Sequence, residues 1–212
     1  MIQCSSLQRR PGAERERGSR LRGEVQGSGE RGGPPAERLR LRVLGPVGVV
    51  QGDERCIPSP RARALLAMLV LADGVPVPTG RLIDGLWGAQ KPEHPQAALQ
   101  VVVSRLRTAL ADSSISVELG NAGYYLDAPL ADSDLRRART AAAEGLAALE
   151  ATDATLAARL FEESLAAWTG EPLADLVGFP FYEAAARRLH ALRIDAVDNR
   201  NRAYLRLGRY QD

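Results

Sequence analysis

The stretch Pro95–Leu110, PQAALQVVVSRLRTAL, constrains the chain most, because its apolar residues recur with a helical period. At roughly 100° per residue, Leu99, Val103, Leu106 and Leu110 fall on one narrow face with Val102 beside them, the core-facing stripe of an amphipathic helix. The opposite face carries Ala97, Val101, Ser104, Arg105 and Thr108, flanked by Gln100 and Arg107. Small residues, hydroxyls, an amide, two guanidiniums and a lone β-branched apolar side chain suit the major groove of DNA better than plain water. A solvated helix face is the competing reading, and this helix alone does not separate the two.

The preceding segments predict a small sheet and two more helices. Leu39–Val43 alternates apolar and basic residues as a half-buried strand does, and Gly45-Pro46 breaks it before a second apolar run, Val47–Val50. Gly52-Asp53 then turns the chain toward Cys56-Ile57, giving an antiparallel sheet of about three short strands. Ser59 as N-cap and Pro60 at the first helical position announce a helix whose buried stripe is Ala62, Leu65, Leu66 and Leu69. Asp73-Gly74 closes it, and Val75–Pro78 makes a stiff corner. Thr79 is the expected N-cap of a second helix that buries Leu82, Ile83, Leu86 and Trp87 before Gly88 stops it. Pro95 fits the first position of the third helix, with His94 a poor cap. Ile115–Leu119 and Gly123–Leu126 then flank Gly120-Asn121-Ala122 as strand, turn and strand. Three helices followed by a β-hairpin make a winged helix.

The remainder reads as helical. Pro129 marks a boundary, and Asp132 or Ser133 can cap a helix with Leu135, Ala138, Ala142, Leu146 and Leu149 as its apolar positions. Thr152-Asp153 starts another, carrying Leu156, Leu160, Leu165 and Trp168. The connection Thr169–Pro180 brings its own apolar residues, Leu173, Leu176 and Phe179. Phe181–Leu207 reads as one long helix with Ala185, Leu189, Leu192, Ala196, Asn199, Ala203 and Leu207 spaced for packing. The expected fold is therefore an α+β winged helix over residues 38–128 followed by an all-α, tetratricopeptide-like region over residues 129–212. Leu207–Asp212 resembles a turn between two repeat helices, so the sequence predicts truncation there or an apolar face covered by another chain.

Composition bounds the function. Lys and Arg total 28 against 26 Asp and Glu, a net charge of +2, so any affinity for DNA must come from where the arginines sit. Residues 1–37 are rich in Arg, Glu, Gly, Ser and Pro without apolar periodicity and are expected to be disordered. Within them Gly27–Gly32 spells G-x-G-x-x-G, yet no strand precedes it and Pro34-Pro35 forbids the helix that should follow, so it is no phosphate cradle. Cys4 and Cys56 form neither a C-x-x-C pair nor a disulfide framework, which points to a reducing cytoplasm. His94 and His190 stand alone, so no metal site is expected. No apolar run approaches the roughly 20 residues of a membrane span. No Walker loop, H-E-x-x-H or G-x-S-x-G is present, and neither enzymatic activity nor a cofactor is expected. Glu162, Glu163, Asp132 and Asp134 read as solvated or capping carboxylates.

The order of sheet, helix, L-I-D-G-L-W-G, loop, A-L-Q-V-V-V-S-R-L-R-T-A-L and G-Y-Y-L resembles the winged helix of OmpR-type response regulators. V-L-G-P at Val43–Pro46, R-A-R-A-L-L-A-M-L at Arg61–Leu69 and the attached helical region more closely resemble the Streptomyces antibiotic regulatory protein (SARP) family with its bacterial transcriptional activator domain. The likeness covers residues 39–212. It implies a DNA-binding activator of a biosynthetic gene cluster, located on the nucleoid, that binds double-stranded DNA at direct repeats as a possible homodimer and touches RNA polymerase.

Position by position, the resemblance makes Val101 and Arg105 candidate base readers, Arg through guanine O6 and N7 and Val on a thymine methyl. Ser104, Arg107 and Thr108 would hold phosphates, with Gln100 in either role. Arg61 and Arg63 sit in the first turn of their helix, where positive charge opposes the dipole and a phosphate partner would relieve it. Trp87 matches a family position near the DNA backbone, but a Trp at the end of an apolar stripe is more often core. Glu118 and Asn121 stand in the hairpin where Thr, Arg or Lys would be expected, which weakens a wing contact. The alternative function is a protein-interaction adaptor whose winged helix no longer binds DNA.

Overall fold

The structure, a computed structural model, describes residues 40–51, 54–55, 57, 59–111, 115–128 and 133–209. The Gly27–Gly32 letters, the tail read as disordered, Cys4, Cys56, the Gly52-Asp53 turn, Pro129, Asp132 and the final turn at Tyr210–Asp212 lie outside them.

Three strands form the first sheet, β1 (Arg40–Arg42), β2 (Gly48–Gln51) and β3 (Glu54–Arg55), antiparallel in the order β1-β2-β3. The register pairs Leu41 with Val49 and Val50 with Arg55. The third strand thus begins before the Cys56-Ile57 position predicted for it. Leu41 and Val49 are buried, as the alternation requires.

Helix α1 (Pro60–Leu71) starts as predicted, with Ser59 Oγ accepting from the Ala62 amide at 3.4 Å. It is more central than its sequence stripe implied: Ala64, Ala67 and Val70 are buried alongside Ala62, Leu65, Leu66 and Leu69. Helix α2 (Thr79–Trp87) corrects one expectation. Pro78 occupies the N-cap position and no side chain caps the helix, so Thr79 is its first residue rather than its cap. Helix α3 (Pro95–Ala109) follows, with Leu110 as C-cap.

The hairpin pairs β4 (Ser116–Gly120) with β5 (Gly123–Asp127), from Ser116 opposite Asp127 to Gly120 opposite Gly123. Because the two glycines pair, the turn is Asn121-Ala122 alone. A reciprocal backbone pair ties the hairpin to the corner between α1 and α2: Val77 N–H donates to Tyr124 O at 2.7 Å and Tyr124 N–H to Val77 O at 3.0 Å.

The helical half is α4 (Asp134–Glu150), α5 (Ala154–Ala166), a 3₁₀ turn at Ala174–Leu176 and α6 (Tyr182–Arg206). Ser133 and Asp153 cap α4 and α5. Leu146 and Leu156, predicted as packing positions, are exposed at 43% and 36%. Small residues replace them at the contact: Ala148, Ala157 and Ala158 are buried around a fully enclosed Phe161. Gly145 makes this close approach possible, since a Cβ there would stand 2.9 Å from Phe161 Cζ. Gly145→Ala is therefore expected to lower stability by about 1–2 kcal/mol in urea unfolding, despite the better helix propensity of alanine.

The two halves share one core. Leu173, Leu176, Ala185 and Leu189 belong to the same buried cluster as the sheet and α1–α3. Polar contacts converge on the loop Val43–Val47. Asp134, read from sequence as a solvated or capping carboxylate, is instead buried and 4% exposed. Its carboxylate accepts from the Val43 amide at 3.0 Å, the Leu44 amide at 2.9 Å and its own neighbour Leu135 at 2.7 Å. Leu44 O and Val43 O accept from the Thr169 and Leu173 amides, and Asp175 accepts from the Val47 amide at 2.7 Å. A Cβ on Gly45 would collide with Thr169 Oγ1. The V-L-G-P letters are the socket into which the helical half plugs.

Candidate nucleic-acid interface

The interface is built on α3, whose Leu99, Val102, Val103 and Leu106 are buried and fix the rotation of the helix. That rotation leaves Ala97, Gln100, Val101, Ser104, Arg105, Arg107 and Thr108 exposed together. Val101 is 52% exposed among the described residues. Thr108 Oγ1 donates back to Ser104 O at 3.0 Å, so one hydroxyl is already turned onto the helix backbone.

The four arginines singled out from sequence divide by their partners. Arg107 donates from Nε at 2.9 Å and Nη2 at 2.6 Å to Val117 O, fastening the last turn of α3 to β4. Arg63 lies half-buried, with Nη1 on Ile57 O at 2.9 Å and Nε on Asp175 Oδ2 at 2.6 Å. Its carboxylate partner belongs to the 3₁₀ turn of the helical half. Arg61 is exposed, with its guanidinium carbon 5.9 Å from the centre of the Trp87 ring. Trp87 is half-buried and packs against the core, with Arg61 over its ring. Arg105 is fully on the outward face of α3 and makes no ion pair among the described residues.

The hairpin lies against α3 through Arg107. Its exposed side chains are Ser116, Glu118, Leu119 at 61%, Asp127 and the turn residues Asn121 and Ala122. None is cationic, so the hairpin offers no positive charge to a phosphate. The sequence pattern located the exposed face of α3 and missed the internal engagement of Arg63 and Arg107. Those partners lie on elements that only the tertiary fold brings close. The Asp134 clasp was missed for the same reason.

The surface can do recognition chemistry. A guanidinium with no ion pair among the described residues, beside an exposed valine, the Ser104 hydroxyl and an amide, offers hydrogen-bond donors and one apolar contact on a face narrow enough for a groove. Among the described residues no group of His, Cys, Asp and Glu could hold a metal ion, and no helix is long and apolar enough to cross a membrane.

Comparison with known proteins matches residues 53–126 to the family described as "Transcriptional regulatory protein, C terminal" and residues 133–212 to the "Bacterial transcriptional activator domain". The chain is 36% identical over 166 residues to the regulatory protein AfsR of Streptomyces griseus, covering 78% of this chain and 17% of that protein. It is 28% identical to the regulatory protein DnrI of Streptomyces peucetius, covering 81% and 67%. A solved structure of Mycobacterium tuberculosis EmbR in complex with a low-affinity phosphopeptide superposes with a TM-score of 0.75 at 30% identity, covering 81% of this chain and 47% of that one. The chain thus spans less than a fifth of AfsR and about two thirds of DnrI.

Proposed function

We propose, because the chain belongs to the SARP-type transcriptional regulators, that it binds double-stranded DNA sequence-specifically through α3 and activates transcription of a biosynthetic gene cluster. The observation that carries this reading is the exposed face of α3, where Val101 and Arg105 stand side by side and Arg105 makes no ion pair among the described residues. In this reading Arg105 forks onto guanine and Val101 packs on a thymine methyl. Gln100, Ser104 and Thr108 border them toward the phosphates. Arg61, steadied on Trp87, reaches the backbone from the start of α1. Arg107 contributes chiefly by holding the hairpin and Arg63 by holding the helical half, a change from their expected role as phosphate ligands.

Residues 38–128 are then the reader and residues 129–212 the part that meets RNA polymerase. Lightly charged readers need more than one copy for tight binding, which favours a homodimer on direct repeats and a place on the nucleoid. Gel-shift titration of Arg105→Ala is expected to weaken operator binding by about 1–3 kcal/mol, roughly 5- to 150-fold, and to relax preference at one base pair. Unchanged affinity and selectivity would remove Arg105 from the reading face. The adaptor reading rests on Glu118, exposed on the hairpin where it would repel phosphate. A binding constant that does not fall with rising salt would favour it, since phosphate contacts release counterions.

A further inference from the structure

Helices α1, α2 and α6 enclose a groove of about 710 Å³ to which neither α3 nor the hairpin contributes a residue. Its apolar lining includes Met68, Leu71, Phe181, Leu189 and Leu192, and its charged rim is Arg81, Arg139, Arg188, Asp84 and Asp195. We propose that this groove binds an amphiphilic organic carboxylate, its apolar body against Met68, Leu71, Phe181 and Leu192 and its carboxylate taken by Arg81 and Arg188.

Size points to a small molecule rather than a protein. A volume of this order is that of sites enclosing a single organic ligand, whereas a stable protein partner needs some 20–30 residues a side. The floor is also adaptable. Gly85 lacks the Cβ that would stand 2.8 Å from Met68 Sδ, so the flexible thioether fills space that any other residue in α2 would close. Such a floor can mould itself to an apolar body.

Charge selects the head group. Asp84 is held by Lys91 at 2.7 Å, and Arg139 lies 3.8 Å from Asp73. Among the described residues Arg81 and Arg188 then have no ion-pair partner, and Asp195 is the one rim carboxylate without one. The rim keeps a cationic excess beside exposed apolar surface. Guanidiniums favour carboxylates because two parallel N–H groups match two oxygens, so an anionic amphiphile meets both properties at once and a neutral one meets only the first.

Isothermal titration calorimetry of the full chain with decanoate and with decan-1-ol tests the assignment. One decanoate per chain is expected, at least tenfold tighter than the alcohol. Arg81→Ala and Arg188→Ala, each on an exposed side chain, should each weaken decanoate severalfold and leave the alcohol unchanged. Ala184→Trp, on the α6 wall of the groove, should abolish binding of both. Circular dichroism melts verify that each variant is folded, and the three variants read the site independently. The proposal is overturned by equal binding of acid and alcohol, by decanoate binding that survives Ala184→Trp, or by no binding. Self-association through this groove, or its occupation by a peptide helix in place of decanoate, overturns it as well.

Discussion

Asp134→Ala is expected to cost about 2–4 kcal/mol of stability at pH 7, measured as a shift in the urea midpoint with the slope unchanged. The carboxylate is the joint between α4 and the Val43–Val47 loop, and its loss strands three amides, those of Val43, Leu44 and Leu135, in a part of the core that water does not reach. Each unsatisfied buried donor costs about 1–3 kcal/mol. The substitution also opens a small void beside Leu135, which is 1% exposed. Asp134→Asn should fall between the two, because one amide oxygen replaces one carboxylate oxygen while the NH₂ faces donors.

The same residue gives stability a pH dependence with a definite sign. Burial raises the Asp134 carboxyl from 3.8 to about 6, overcoming the opposite pull of the Leu44, Val43 and Leu135 amides and of Arg137. The folded chain therefore holds this proton more tightly than the unfolded chain. The contribution is fully present below about pH 4 and is lost as pH rises through about 6, a swing of about 2–3 kcal/mol. Comparing melting temperatures of the parent chain and Asp134→Asn from pH 4 to pH 7 isolates it. The difference between the two should grow as pH falls, and a difference independent of pH would mean that Asp134 does not titrate in this window.

Gly123→Ala is expected to be comparably damaging, about 2–4 kcal/mol in urea unfolding. Gly123 adopts φ of +135°, a conformation that side chains rarely accept, and its missing Cβ is what allows the Val77 carbonyl to approach. Any added carbon would collide with that carbonyl and stand 2.8 Å from Pro78 N. The reciprocal hydrogen bonds between Val77 and Tyr124 would have to open, releasing the hairpin from the α1–α2 corner. DNA affinity should then fall along with stability. Stability equal to the parent chain would show that the hairpin can shift without cost.

How far the sequence could be read follows from the range of the forces involved. The Ser59 cap, the Pro60 and Pro95 helix starts and the α3 stripe are set by neighbours within a few residues, and all were legible. Thr79 misled because its hydroxyl fits a cap in isolation, yet Pro78, already extended, takes the position. Leu146 and Leu156 misled because large apolar residues look like core, whereas the contact between α4 and α5 is close enough to select alanine and glycine. Asp134 binds amides 90 and 91 residues away, and no local pattern distinguishes such a carboxylate from a solvated cap. The exposed face of α3 was legible because exposure follows from helix rotation. The duties of Arg63 and Arg107 were not, because a guanidinium reaches whatever acceptor the fold supplies.

The socket at Val43–Val47 also bears on how such chains can be reassembled. Between the winged helix and the helical half the sequence offers an obvious joint near Pro129, but the fold is stitched across it at Asp134, Thr169, Leu173 and Asp175. A recombinant that exchanged either half alone would have to match plug to socket. Most of the joint is backbone, so a chimaera should keep it only where the incoming half supplies carboxylates at the Asp134 and Asp175 positions or a glycine at the Gly45 position.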